Sequence, residues 1–367
     1  YKADIVKKYF GDGKRLGLKI KYAIQPKFQG TADAASLAED FVTENFLMIY
    51  GDLLITPNVV EKAIETHKKT EAAATLAVVS VEHPERYGVV KVEDSHVTDI
   101  MEKPSPELAS NHPINAGVYV FSADIFDTIK QTGESQRGER EITDSIRMLI
   151  DKKRSVSAVQ IPSKEWLDIG RPWDLLEANA RILNRMGCQV EGLIEEGARI
   201  IGPAVISREA RIRSGTYIEG PTFIGEGSDI GPNCHIRPFT SVGKDARIGN
   251  ACEVKNSIIM DRTHAGHISY IGDSVIGEDC NIGAGAVTAN LRFDYRTVRM
   301  RIKEETLDSE RIKLGAFIGD GAKIGIGSLV MPGVKIGCNS WIGPNVVVYK
   351  DVPPNTILVL KQTIEQR

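Results

Sequence analysis

Long apolar runs are missing from this 367-residue chain: none reaches the length of a membrane-crossing helix, and no secretory leader is expected at its start. Cysteine is scarce. Its five thiols, Cys188, Cys234, Cys252, Cys280 and Cys338, are odd in number and lack Cys-x-x-Cys spacing. That pattern points away from a disulfide framework and from a zinc site, and leaves buried thiols in a cytoplasmic protein as the expectation. No block of Lys or Arg stands out, and the formal net charge is −3. Neither nucleic acid nor a membrane surface is therefore expected as the main partner. What the chain has in quantity is length enough for about two domains.

The second of these announces itself by a period of six. Stepping from Ile194 gives Ile200, Ile206, Ile212, Ile218, Ile224, Ile230, Ile236, Val242, Ile248, Val254 and Met260. Six matches neither a helix nor a lone strand; it matches a parallel β-helix that turns one aliphatic side chain inward per flat side. After Met260 the phase is lost. It returns four places out at Ile276 and Ile282, then Ile312, Ile318, Ile324, Val330, Ile336, Ile342 and Val348. Two excursions are predicted, at 261–275 and 289–311, and insertions in a solenoid commonly build its binding site.

The first carries HAGHISYIGD (264–273), with two of the chain's seven histidines. Arg237 and Lys255 lie 18 residues apart, one three-sided coil, so their side chains are predicted to stack on one face about 4.8 Å apart. Two such cations repel by ~1 kcal/mol near a surface, which favours an anion over them. A salt-bridge ladder with Glu219 and Glu253 is the bland alternative. A neutral imidazole at His267, beside those cations, suits a base that takes a proton from an attacking amine.

Residues 1 to about 185 alternate instead. LKIKYAIQ reads as a strand, TADAASLAEDFV as a helix, NFLMIYGD as a buried strand, PNVVEKAIETHKKT as a helix and ATLAVVSVE as a strand. That order predicts an α/β domain, Rossmann-like, with a mostly parallel sheet. Ligands bind such sheets at the carboxyl ends of strands, where Asp52 ends an apolar run and Asp168 follows another.

QPKFQGTADA (25–34), YGD (50–52), RYGVV (86–90), MEKP (101–104), INAGVYVF (114–121), GEREITDSI (138–146) and EWLDIG (165–170) resemble, in order and spacing, the sugar-1-phosphate nucleotidylyltransferases. The resemblance implies that Gln25, Gly30 and Thr31 meet a pyrimidine nucleotide, UTP or dTTP. Gly88, Glu102, Lys103, Asn115 and Gly117 would hold a sugar 1-phosphate, and Asp52 and Asp168 would share Mg²⁺. Two polyanions must meet in line, so a divalent cation and a lysine to neutralise charge are what the chemistry needs. The family's glycine-rich triphosphate loop is absent from these residues. The chain opens on Tyr1 in a helix-like stretch, so an upstream segment is expected and nucleotidyl transfer without it is expected to be weak.

HAGHISYIGD, CNIGAGAVTANLRFD and MPGVKIGCNSWIGP resemble the acetyltransferase half of bifunctional N-acetylglucosamine-1-phosphate uridylyltransferases, most closely the archaeal type. This implies a left-handed parallel β-helix over 186–367 after a nucleotidylyltransferase domain over 1–185, and a homotrimer. It implies His267 as general base, and Arg237, Lys255, Tyr270, Asn281 and Asn290 around an amino-sugar phosphate, glucosamine or galactosamine. Ala284, Arg296 and Arg299 would lie by acetyl-CoA. Leu291 replaces a tyrosine of the bacterial form, and Arg296 and Arg299 replace lysines. Two alternatives stay open: a thymidylyl- or guanylyltransferase with the β-helix as assembly scaffold, and a non-enzymatic nucleotide-sugar sensor.

Overall fold

The computed structural model describes residues 2–135, 137–363 and 365. The chain divides into two compact units, Tyr1–Asp168 and Ile169–Arg367. No helix among the described residues is long and apolar enough to cross a membrane.

In the first unit the helices are α1 (Ala3–Phe10), α2 (Thr31–Ser36), α3 (Pro57–Thr70), α4 (Pro106–Ala109), α5 (Ile125–Gln131) and α6 (Ile142–Asp151). The strands are β1 (Phe46–Ile49), β2 (Leu53–Ile55), β3 (Ala74–Val79), β4 (Gly88–Glu93), β5 (His96–Glu102), β6 (Ile114–Phe121), β7 (Val156–Gln160) and β8 (Trp166–Asp168). A six-stranded sheet in the order β1-β6-β3-β7-β5-β4 forms the centre, and β2 pairs with β8 beside it. Helix α3 spans the residues predicted for it. Proline at its first turn suits a helix start, and Val59, Ala63 and His67, four residues apart, bury one face against the sheet.

Four expectations for this unit need correction. The sheet is mixed rather than mostly parallel: only β3–β7 runs parallel, while β1–β6, β3–β6, β4–β5, β4–β6 and β5–β7 are antiparallel. A fully buried strand shows the same apolar run in either direction, so composition carried no sign of it. The segment LKIKYAIQ is not a strand. Its amides at Leu18 and Ile20 donate to Gly13 and Asp12 carbonyls, closing a local turn instead of joining a ladder. Strand β1 is an edge strand with Leu47 and Ile49 facing outward, not a buried one. Helix α2 is also shorter than its pattern: Ser36 Oγ donates to the Asp33 carbonyl, a local bond that competes with continuing the helix.

The second unit is a solenoid of short parallel strands stacked into three sheets of nine, eight and eight, consistent with the left-handed β-helix that hexapeptide repeats build. Ile206, Ile212, Ile218, Ile224, Ile230, Ile236, Val242, Ile248 and Val254 all point into one core and are essentially inaccessible. Each fully buried aliphatic side chain contributes roughly 1.5–3 kcal/mol, so the column is the main stabilising force of the unit. Cys234, Cys252 and Cys280 are buried in it as free thiols, and burial pushes the Cys234 thiol up to about 12.

The segment 261–275 does not leave the solenoid. Arg211 pairs with Asp229 and Asp229 with Arg247, an 18-residue coil, but Arg247 pairs with His264 and His264 with Asn281, a 17-residue coil. Two successive coils each lose one residue, at the five-residue steps Val254 to Ile259 and Ile271 to Ile276. Ile259 therefore takes the inward place predicted for Met260. The phase shift has the size expected of an excursion while the chain stays in the ladder.

The second excursion is real. Val275 pairs with Phe317 across it, a separation that is a whole number of six-residue steps. Its residues form a hairpin, Arg299–Ile302 against Glu305–Asp308, and Ile312 stands outside the core at 54 % exposure. Helix α7 (Asp174–Leu183) belongs to this unit, although the expected boundary at 185/186 placed it earlier. Trp173 and Leu176 pack with Val298, Met300, Leu314 and Phe317, and Asn179 bonds both Ser241 and the Phe239 carbonyl. The hairpin and α7 thus roof an apolar outer face. Leu176→Ala is expected to cost about 2–5 kcal/mol, read as a lowered midpoint of the solenoid's unfolding transition.

Candidate active sites

In the first unit an open cleft of about 290 Å³ is lined by Thr31, Asp52, Gly88, Glu102, Lys103, Asn115, Gly117 and Asp168 among others. Backbone irregularity shapes it. Strand β6 bulges between its pairings Leu76↔Tyr119 and Val78↔Asn115, and Gly117 sits in the bulge with φ 70. A Cβ there would lie 2.6 Å from the Tyr50 ring. Asn115 turns inward from the same bulge, its Oδ1 accepting from the Gly117 amide at 3.2 Å. Opposite, Leu53 of β2 pairs with Asp168 of β8, and Asp52, the residue before Leu53, lines the same cleft as Asp168. Among the described residues no three His, Cys, Asp or Glu side chains gather as a cage. Two carboxylates on one cleft are the donor set of a Mg²⁺ whose other ligands are phosphate and water.

The cleft floor is acidic. Glu102 and Glu141 face each other through Arg137, whose Nη1 lies 3.7 Å from the first and 3.2 Å from the second. Burial raises the pKa of Glu102 despite Lys103 and Arg137, and burial with the Glu102 charge raises that of Glu141. Gly88 permits the approach of Glu102: a Cβ would stand 2.9 Å from its Oε2. Beneath them Asn115 Nδ2 donates to the Tyr119 hydroxyl, which donates to Tyr50 at 2.9 Å.

Gln25 and Gly30 are not on this cleft. Gln25 Nε2 donates to Asp33 Oδ2 at 2.7 Å and to the Gly30 carbonyl at 3.2 Å. Gly30, at φ 104, is pressed against the Arg140 backbone, where a Cβ would come within 2.4 Å of the carbonyl.

On the solenoid, Arg237 and Lys255 stand in register on neighbouring coils. Each already has its own carboxylate. Arg237 Nη1 meets Glu253 at 2.9 Å with both side chains 38 % exposed, and Lys255 Nζ meets Asp273 at 3.0 Å with the side chains 20 % and 5 % exposed. Below them His235 Nε2 lies 2.8 Å from Glu219. The salt-bridge ladder is present. Tyr270 continues the face one coil on: its hydroxyl accepts from Asn290 Nδ2 at 3.1 Å, and burial raises its pKa. His267 ends the strand His264–His267 on the adjoining sheet, exposed, with its ring making no hydrogen bond among the described residues. Asn281 is exposed on that sheet in register with His264, and Ala284 follows half-buried at the next corner. Arg296 and Arg299 are exposed on the excursion. Arg237, Lys255, Tyr270 and Asn290 thus form one connected face, with His267, Asn281 and Ala284 on its neighbour.

Profiles of known families also fall into a front and a back group, the first running past the compact unit's end at Asp168 to residue 185, where the sequence placed the boundary. That of the nucleotidyl transferases matches residues 1–185, the GMPPB C-terminal domain matches 218–307, and the hexapeptide repeat of succinyl-transferase matches 315–350. The bifunctional protein GlmU of Methanocaldococcus jannaschii is 41% identical over 87% of this chain and 75% of its own length. GlmU of Methanococcus maripaludis strain C7 is 40% identical over 94% and 82%. The chain belongs to this GlmU-like family. A bifunctional sugar-1-phosphate nucleotidylyltransferase/acetyltransferase of Sulfurisphaera tokodaii shares 41% identity over 78% of this chain and 70% of its own.

One residue at the centre of the GlmU-like solenoid face escaped the sequence reading. Asp273 accepts from Lys255 and Asn256 on the coil before it and from Asn290 on the coil after. The signal was available: Asn256, Asp273 and Asn290 are spaced by 17, the length of the shortened coil.

In the cleft, burial drives Tyr50 from its ordinary 10.0 up to about 12 and Tyr119 well above its usual value. A raised folded-state pKa means that the stability is whole below pH 10 and falls as pH climbs toward 12, when the unfolded phenols ionise and the buried ones cannot. Tyr50→Phe is expected to flatten that alkaline loss, as read by denaturant unfolding across the same pH window.

Proposed function

We propose that the first unit transfers a nucleotidyl group to a sugar 1-phosphate and that the solenoid acetylates an amino-sugar 1-phosphate from acetyl-CoA, both in the cytoplasm. The observation that carries the first half is the convergence of eight predicted residues, from sequence positions 31 to 168, on one cleft. A phosphate oxygen of the sugar phosphate attacks the α-phosphorus of UTP or dTTP, the new P–O bond forms, and pyrophosphate leaves. Glu102 and Asn115 orient the sugar hydroxyls, while Lys103 lies beside its phosphate. Asp52 and Asp168 would hold Mg²⁺, which supplies charge neutralisation on the triphosphate when bound. In a protein that carries the expected upstream segment, Asp168→Asn is expected to abolish nucleotidyl transfer in an assay of pyrophosphate release and to leave acetyl transfer intact; equal loss of both would make Asp168 structural.

For the second half, the amine of the substrate attacks the thioester carbonyl, a C–N bond forms, the C–S bond breaks, and coenzyme A leaves as the thiol. The free ring of His267 takes the amine proton. Arg237, Lys255, Tyr270, Asn281 and Asn290 hold the sugar phosphate, and Ala284, Arg296 and Arg299 lie toward acetyl-CoA in a homotrimer.

The scaffold alternative draws on the ion pairs, since a satisfied cation has less call for an anion. Magnitudes favour the enzyme. The Arg237–Glu253 pair is half-exposed and such pairs are worth about 0–1 kcal/mol, less than a charge-assisted bond to phosphate at about 1.5–3 kcal/mol. His267→Ala is expected to cut acetyl transfer at least ~100-fold, and to remove the acidic limb of the kcat–pH profile, with an unchanged melting temperature. Near-normal turnover with an unchanged profile would overturn the assignment.

A further inference from the structure

The carboxylate of Asp273 has no place in the mechanism above, yet it is the most buried charge on the solenoid face. Its side chain is 5 % exposed. It accepts from Lys255 Nζ at 3.0 and 3.3 Å, from Asn256 Nδ2 at 2.7 Å and from Asn290 Nδ2. Its backbone joins the same arrangement, with its amide donating to the Lys255 carbonyl and its carbonyl accepting from Gly315, where the chain re-enters the solenoid. Asn290 stands where the chain leaves. One residue therefore ties the ammonium of one coil, through its carboxylate, to the exit of the excursion, and through its backbone carbonyl to the re-entry.

Two further facts say that this clamp is built for direction. The flanking Gly272 has no room for a side chain: a Cβ would lie 2.5 Å from the Tyr270 hydroxyl and 2.7 Å from Asn290 Nδ2. Asn290 in turn divides its amide between Asp273 and Tyr270, so the carboxylate fixes Tyr270 at second hand. A surface ion pair would let Lys255 wander through its rotamers. A buried carboxylate with three donors holds it in one, at the cost of desolvation that the donors offset.

We infer that Asp273 is the positioning residue of acetyl transfer: it aims Lys255 and Asn290 at the sugar phosphate without touching substrate. The inference rests on the reading that Lys255 and Asn290 bind that phosphate. Preorganised donors bind without losing rotamer freedom at the moment of binding, so a loosened clamp weakens substrate affinity before it slows the chemistry.

Asp273→Asn in the full chain is the test. Asparagine matches the shape, and the corner's left-handed φ of 49 is one that Asn233, Asn256, Asn339 and Asn345 already adopt in this solenoid. Two readouts are needed. The first is the rate at which an N-hydroxysuccinimide acetate labels Lys255, followed by peptide mass spectrometry with exposed Lys244 as internal control. The second is kcat and KM for glucosamine 1-phosphate with acetyl-CoA. Losing a charge-assisted partner is expected to raise both Lys255 labelling and KM about tenfold, with kcat changed far less and Lys244 labelling unchanged. Unchanged Lys255 labelling overturns the clamp, whatever KM does, and the phosphate reading then stands or falls on Lys255→Ala. Faster labelling with an unchanged KM shows a clamp on a lysine that does not bind the sugar phosphate, and overturns the positioning role together with that reading. Asn290→Ala spares the corner and is expected to raise KM with Lys255 labelling held; an unchanged KM there overturns the inference even if Asp273→Asn fails to fold.

Discussion

The inward aliphatic column sets the terms for everything on the solenoid. Parallel strands only two to four residues long cannot hold register by hydrogen bonds alone, because each contributes too few. Stacking Ile218 over Ile236, Val254, Ile271 and Thr288 does it instead, one side chain per coil in each sheet. Any change in coil length must keep the next inward residue over the last. This constraint explains why the chain shortens by one residue at a corner rather than within a strand, and why it does so twice in succession at the same corner. The two short corners bring Asn256 over Asp273 and Asp273 beneath Asn290. The ion-pair cluster on that face follows from coil length.

Much of this was legible in the residues. The six-residue period named the inward side chains from Ile206 to Val254, and the re-entry in phase after the hairpin held because an excursion costs little so long as the column resumes. The span of α3 could be read from Pro57 and the spacing of Val59, Ala63 and His67. The loss of phase at 261–275 was seen and misplaced. A shift of phase fixes the change in length only modulo six, so four places out is equally four residues looped out or two deleted one at a time. Strand direction in the first unit was hidden for a similar reason, since Ala74–Val79 is buried on both faces and would carry the same residues in a parallel or an antiparallel neighbourhood. Gly30 packs on Arg140, 110 residues away in sequence, and no local pattern could have marked that contact.

Two kinds of ion pair coexist on the solenoid face, and they differ in what they can do. Arg237–Glu253 is exposed at both ends, screened by salt and easily exchanged for a ligand's charge. Lys255–Asp273 is not, because Asp273 is buried and carries two amide donors besides the ammonium. Removing the cation would strand a desolvated carboxylate, so this pair is kept together more firmly than its Coulomb energy alone would suggest. On the proposed function, a phosphate arriving at the face would displace Glu253 from Arg237 and add to Lys255 through the protons that Asp273 leaves free. One cation is therefore available and the other aimed.

The two units reach the same physical solution by different routes. A regular ladder saturates its backbone groups and packs its side chains on flat faces, which leaves neither a concavity nor donors pointing inward. In the first unit the interruption is the bulge of β6, which turns Asn115 and Gly117 toward Tyr50 and opens the cleft between Asp168 and Glu102. In the second it is the missing residue in each of two coils, which draws Asp273 under the edge of the face and pulls Lys255 and Asn290 after it. Both interruptions are small, two extra residues in β6 and one residue fewer at each of two corners, both are flanked by a glycine whose Cβ would strike a tyrosine, and both leave the ladder intact on either side. A larger break would have needed its own core to hold it, as the hairpin at 299–308 does with α7. A break of one or two residues borrows the rigidity of the ladder around it, and that rigidity is what a positioned side chain needs.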